Sequence, residues 1–132
     1  MTPEEKARQK IDQWFTDAGW EVINRDDYEP TCTAVAIREG LLKGNLEADY
    51  FLFINGKAVG VLEAKREETD AFSSIVCEQA ALYARSVPNI YQTYQKPLPF
   101  IFTSNGKELY FCDFREQDHY FKQIMTIPTP HE

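Results

Sequence analysis

Two apolar runs in the middle of the chain are interrupted by charge at the same end. EADYFLFI (47–54) carries Asp49 near its start, and KAVGVLEAK (57–65) closes on Glu63 and Lys65. Asn55-Gly56 between them tolerates positive φ and is a favoured two-residue hairpin turn, so the runs read as antiparallel neighbours. Side chains alternate along a strand, which puts Glu63 and Lys65 on one face and Ala64 on the other. Asp49 lies six residues before Asn55 and Glu63 seven after Gly56, within about one residue of facing each other across the ladder. Two carboxylates so placed repel unless a proton or a cation lies between them, and one or two carboxylates completed by water are what Mg²⁺ prefers. A lysine beside them can orient a water or stabilise charge developing on a phosphate. The plain alternative is an Asp-Lys or Glu-Lys ion pair at a strand end, solvated and structural.

The flanking helices put polar groups at apolar positions. From Thr69 to about Ser86 the period is helical, with Phe72, Ile75, Val76, Leu82 and Tyr83 on one stripe and Gln79 at its centre. An amide buried there must be hydrogen-bonded or it costs about 1–3 kcal/mol, so Gln79 either caps a strand end or serves the site. Thr2-Pro3-Glu4-Glu5 is a capping-box start, and Ala7, Ile11, Trp14, Phe15 and Ala18 recur at helical spacing until Gly19. Glu5 is the natural capping partner of Thr2. Glu4 falls on the stripe of Ala7, Ile11 and Phe15, which makes it either a third acid at the site or a first-turn carboxylate complementing the helix dipole. Arg8, one turn later, can pair with Glu4 or face a phosphate.

The remaining elements complete a layered domain. Trp20 to Ile23 is a short extended segment, followed by a polar loop through Asp26, Asp27 and Pro30 and a strand from Thr33 to Ile37. PFIFT (99–103) and KELYFC (107–112) form a second hairpin-like pair around Asn105-Gly106, and Ile127-Pro128-Thr129-Pro130 reads as a linker. A helix, a central sheet and a second helix between strands predict an α/β or α+β layered domain over 1–126, with a tail or linker over 127–132. With 132 residues, 43% of them hydrophobic, one core is affordable and a second domain is not.

Composition narrows the function. The net charge of −7 lacks the basic excess with which a protein grips nucleic acid unaided, so such a role needs a local basic patch or partner domains. Cys32, Cys77 and Cys112 are odd in number and widely spaced, which suggests neither a disulfide framework nor a zinc site. The acidic, polar start is not a signal peptide and no apolar run reaches bilayer length, so a cytoplasmic location with no membrane role is expected. His119 and His131 have no partner spacing and read as surface residues. Tyr91, Tyr94, Tyr110 and Phe111 could stack on bases, but aromatic residues in strands are more often core.

Asp49, then Glu63-Ala64-Lys65, then Gln79-Ala80-Ala81-Leu82-Tyr83 on the next helix resemble the PD-(D/E)xK nuclease superfamily in the form that carries a Q-x-x-x-Y motif. EADYFLFINGKAVGVLEAK, with the upstream Gly19-Trp20 after an acidic first helix, is similar to the N-terminal endonuclease domain of the R (HsdR) subunit of type I restriction-modification enzymes. The likeness runs from Glu4 to the end of the chain, and Ala48 stands where the superfamily name has proline. It implies a restriction-endonuclease-like fold with a mixed central sheet flanked by helices, and a type I site-specific deoxyribonuclease hydrolysing phosphodiester bonds of double-stranded DNA. Asp49 and Glu63 would bind Mg²⁺, with Mn²⁺ as a substitute and the Ala64 carbonyl as a further ligand. Lys65 would position the attacking water, Gln79 and Tyr83 would support the site or touch the DNA backbone, and Glu4 would be the first-helix acid. It also implies a C-terminal translocase domain and modification and specificity subunits as partners, which would hold the DNA that this acidic chain does not. The chain has no G-x-x-x-x-G-K-[ST] loop, so ATP is not expected to bind here and a fragment or isolated domain is expected. Two other readings stay open: a stand-alone repair or recombination nuclease, and a non-catalytic docking module of the same fold.

Overall fold

The computed structural model describes residues 2–27, 33–42, 44, 46–66, 68–88, 91–93, 95, 98–116 and 120–130. Pro30, Cys32, Tyr94, His119 and His131, each weighed above, lie outside the described residues.

Helix α1 (Pro3–Asp17) begins where the capping signal put it, with the Glu5 backbone N–H donating to Thr2 Oγ1 at 3.1 Å. Ala7, Ile11 and Phe15, four residues apart, are its buried stripe. Glu4 is not part of that stripe. Its carboxylate is half exposed, because the first turn of α1 overhangs the end of the sheet. The chain then forms β1 (Glu21–Asn24), one turn of 3₁₀ helix at Arg25–Asp27, and β2 (Ala34–Leu41). β2 outruns the strand expected at 33–37 because the next strand pairs with it as far as Leu41 opposite Glu47.

β3 (Glu47–Ile54) and β4 (Lys57–Ala64) are the expected hairpin. Asn55 and Gly56 both have positive φ, 50° and 81°, which is the requirement of the turn type that matches strand twist. The register shifts by one residue between Leu52 and Phe53, so that beyond the shift Tyr50 pairs with Leu62. This bulge removes the one-residue offset expected from counting and brings Asp49, one step further along, directly across from Glu63.

Helix α2 (Ser74–Ala84) starts later than its apolar period suggested. Ser73 caps it by accepting from the Val76 N–H at 3.3 Å. Residues just before it are held as turns by the next strand: Thr103 Oγ1 donates to the Ala71 carbonyl (2.7 Å) and Asn105 Nδ2 to the Thr69 carbonyl (2.9 Å). Its phase differs as well. Val76, Ala80, Tyr83 and Ala84 face the sheet, whereas Phe72, Ile75 and Leu82 are exposed. Phe72 precedes the helix, and the small side chains of Ala80 and Ala84 let the backbone approach the sheet closely, so the buried side is the one with less apolar bulk.

The short β5 (Gln92–Thr93) pairs with the start of β4, and β6 (Phe100–Ser104), β7 (Leu109–Asp113) and β8 (Lys122–Ile124) complete the sheet. Among the described residues the order is β1-β2-β3-β4-β6-β7-β8, parallel at β1/β2, β4/β5 and β4/β6 and antiparallel elsewhere. β4 and β6 are parallel because α2 crosses between them. The sheet is therefore mixed and lies between two helices. On one face Phe51, Phe53, Val61 and Ile101 pack beneath α2. On the other Tyr50, Leu52, Leu62 and Phe102 pack beneath Ile11 and Phe15 of α1. Ile127, in the stretch set apart as a tail, is buried in the second core, and Trp20 Nε1 donates to the Pro128 carbonyl at 2.9 Å. Tyr91 packs edge-on against Phe51 and Phe53, and Phe111 stacks on Phe102, so these aromatic residues serve the core. Tyr110 instead pairs with the exposed Phe72 ring, 4.8 Å between centroids. No helix of the described residues is long and apolar enough to cross a membrane.

Candidate active site

The start of β3 and the end of β4 meet at one end of the sheet, where, beyond the bulge, Phe51 of β3 and Val61 of β4 point to the α2 face and Tyr50, Leu62 and Ala64 to the α1 face. That alternation gives Asp49 and Glu63 a common face. Ala64 fixes the first of them, its backbone N–H donating to Asp49 Oδ2 at 2.7 Å. Lys65 is fixed by its own N–H, which extends the β4/β6 ladder to the Ser104 carbonyl at 2.8 Å, and its Nζ lies 3.1 Å from Glu63 Oε1. The second oxygen, Glu63 Oε2, is buried and receives no hydrogen bond from the described residues.

The electrostatics follow from this crowding. Burial, followed by the facing Asp49 carboxylate, pushes Glu63 up to about 7 against the pull of Lys65. Burial also raises Asp49, although the Ala64 N–H and the Arg8 guanidinium draw it back. Burial alone would lower Lys65, but the Glu63 carboxylate outweighs it and the ammonium is held charged. A buried acceptor without a donor is costly. The pair is arranged to receive positive charge.

Helix α2 brings the predicted amide and phenol to the same place. Gln79 Nε2 donates to the Tyr83 hydroxyl at 3.2 Å, so the amide is satisfied within the helix rather than at a strand end. Tyr83 packs in the core between α2 and the sheet, and burial followed by the Glu63 charge raises its phenol.

Arg8, left undecided by the sequence, reaches the site from α1. Its Nη2 pairs closely with Asp49 Oδ1 and lies 3.8 Å from Glu4 Oε1, while its Nη1 donates to Glu39 Oε1 at 3.2 Å. Glu4 thus stands at the site beside Arg8, and its charge acts on Asp49 and Lys65. Glu39 was missed altogether. It interrupts β2 with φ 55°, rare for a residue with a side chain, and the flanking pairs Arg38/Tyr50 and Gly40/Ala48 put it across from Asp49. Its only signal was Arg38-Glu39-Gly40, charge and glycine inside an apolar strand. Gly106 helps to seat α1: with φ 85°, it approaches Ala7 so closely that a Cβ there would lie 2.9 Å from Ala7 Cα.

The donor set suits one kind of ion. Among the described residues no group of three or more His, Cys, Asp or Glu side chains is gathered as a metal cage. Two carboxylates with an orphaned oxygen fit a hard cation that keeps several of its waters and takes one or two carboxylates, the habit of Mg²⁺.

Residues 42–120 match the family model described as the type I restriction enzyme R protein N terminus (HSDR_N), more than half of the chain and the stretch that carries Asp49, Glu63, Lys65, Gln79 and Tyr83. The chain belongs to this HsdR N-terminal family. Its fold is also that of a solved fragment assigned to an HsdR subunit of a type I restriction enzyme from Vibrio vulnificus YJ016, with a TM-score of 0.63 and 21% identity over the whole of this chain. The chain spans 24% of that protein's length. No curated protein matches the sequence. Glu4, Arg8 and Glu39 lie before the stretch that the HsdR model matches, so their placement rests on the geometry alone.

Proposed function

We propose that this HsdR N-terminal domain is a Mg²⁺-dependent DNA endonuclease domain of the PD-(D/E)xK type. The observation that carries the reading is the facing Asp49 and Glu63 carboxylates, one oxygen of them buried and unpartnered, with the Lys65 ammonium 3.1 Å from the other oxygen of Glu63. Asp49 and Glu63 would hold the divalent cation, Mg²⁺ or Mn²⁺ in its place. When bound, that ion would polarise a phosphate oxygen and acidify a water. Lys65, kept protonated by Glu63, would hold a water by hydrogen bonding for in-line attack and offset negative charge gathering on the phosphate. Tyr83, held by Gln79, would fix the α2 side of the cleft and offer its hydroxyl to the DNA backbone. No covalent enzyme intermediate is required.

The acidic charge of the chain supports a division of labour, in which other domains and subunits hold double-stranded DNA and this domain cuts it. The partners in this reading are a translocase domain and the modification and specificity subunits, with ATP bound elsewhere. The test is cleavage of supercoiled and linear plasmid DNA by the wild-type chain with Mg²⁺ or with chelator, beside Asp49→Ala and Lys65→Ala. Metal-dependent cleavage lost in both variants supports the reading; cleavage that survives either substitution overturns it.

A further inference from the structure

Arg8 stands where the metal reading wants a cation. Its guanidinium binds Asp49 Oδ1, while the other oxygen of that carboxylate is taken by the Ala64 N–H. Asp49 therefore has no oxygen free of a donor, whereas Glu63 Oε2 faces the Asp49 carboxylate and receives no donor among the described residues. Three features show that Arg8 is held there. Tyr50, buried in the α1 core, sets its hydroxyl 3.1 Å from the Arg8 carbonyl and beside Asp12, which fixes the helix turn that carries Arg8. Glu39 reaches its Nη1 from a left-handed backbone conformation in mid-strand, the kind of local strain that persists only where the surroundings enforce it. Arg8 Nε is buried without a partner, so the side chain keeps an unsatisfied donor in this pose.

The charge balance points the same way. Glu4, Glu39, Asp49 and Glu63 are four carboxylates and Arg8 and Lys65 two cations, linked at this end of the sheet by the contacts of Arg8 with Glu4, Glu39 and Asp49, the Lys65–Glu63 pair and the facing of Asp49 and Glu63. When all are ionised the cluster is left two negative charges in excess, which one divalent ion balances. A guanidinium and a divalent ion that both approach Asp49 Oδ1 repel each other in this partly buried setting, so they compete for it.

We propose that Arg8 is a built-in counter-ion of Asp49, and that a divalent cation binds by displacing its guanidinium from Asp49 onto Glu39 and Glu4. This rests on the metal reading of Asp49 and Glu63. Glu39 and Glu4 then serve as the resting place of the displaced guanidinium, so the α1 turn stays anchored in both states. Metal affinity is set by a competition built into the domain.

The test is Mn²⁺ titration followed by electron paramagnetic resonance, with thermal melting in chelator and in excess Mn²⁺, on wild type, Arg8→Gln, Arg8→Lys and Asp49→Ala. Removing the competitor makes Arg8→Gln bind Mn²⁺ about two- to fivefold more tightly than wild type, the scale of losing one partly exposed ion pair. Arg8→Lys, which keeps the charge without the fork, falls between them. In chelator Arg8→Gln melts below wild type, and excess Mn²⁺ closes most of that gap. Weaker Mn²⁺ binding in Arg8→Gln, with Asp49→Ala abolishing binding, would show Arg8 to be a support for the ligand and overturn the proposal while leaving the metal site standing. Binding undiminished in Asp49→Ala, or absent from every protein, would overturn the metal reading and this inference together.

Discussion

The two ends of the central hairpin obey opposite rules. At the Asn55-Gly56 end both turn residues adopt the left-handed backbone that their types favour, and Phe51 and Phe53 are buried among Ile37, Tyr91 and Leu98 with their rings packed at 4.6 Å. At the other end two carboxylates face each other, a buried oxygen lacks a donor, and Glu39 holds a conformation that glycine would hold at less cost. The first end is consistent at every level, from turn chemistry to packing. The second breaks local rules in three places within one cluster, the pattern of a site whose arrangement is kept for function at the expense of stability. One hairpin carries both, because alternation lets the same strands bury apolar residues over most of their length and gather acids at their tips.

Substitutions at the two ends should separate stability from activity. Phe53→Ala is expected to cost about 3–5 kcal/mol in denaturant unfolding through loss of buried aromatic packing. Its activity per folded molecule should hold at a temperature where it remains folded. Asp49→Ala is expected to lower metal-dependent cleavage by on the order of 10²–10³-fold with a far smaller change in fold, as circular dichroism would show. Equal effects on both properties at both ends would break the comparison.

Glu63→Gln sharpens it further. The amide keeps the shape but removes one of two repelling charges, so without metal the variant is expected to gain about 1 kcal/mol in stability while losing activity. The pH dependence has a definite sign. Glu63 has a folded pKa of about 7 against an ordinary 4.5, so the folded state holds its proton more tightly than the unfolded state does. That contribution to stability is fully present below about 4.5 and is lost as pH rises through about 7. Metal-free wild type should therefore lose stability over that window, and Glu63→Gln should lose less, keeping only the loss due to Asp49, which burial also raises; parallel melting curves for the two would remove Glu63 as the cause. The smallest effect is expected from Gly56→Ala, about 1 kcal/mol through the positive φ of the turn, with the cleavage rate unchanged.

The sequence disclosed these two ends unequally. Asn55-Gly56, the alternation of β3 and β4, and the Thr2 cap are local signals, and they led to the right strands, the right helix start and the pairing of Asp49 with Glu63. The bulge that turns near-opposition into opposition, by contrast, is a property of the assembled sheet. The α2 stripe was misplaced because periodicity weighs apolar bulk, whereas the sheet accepted Ala80 and Ala84 and left Ile75 and Leu82 outside. Glu4 and Arg8 are one helical turn apart, but Arg8 meets Glu39 and Asp49 across long sequence separations, through the seating of α1 against Gly106 and the left-handed Glu39 in β2. No spacing rule within one element could reveal that cluster.

Isothermal titration of Mg²⁺ into wild type and Asp49→Ala, at low salt and well above the Glu63 pKa, tests the central claim most directly. The account predicts a single binding event in the wild type that disappears in Asp49→Ala. Binding of equal strength in both proteins, or in neither, would contradict it.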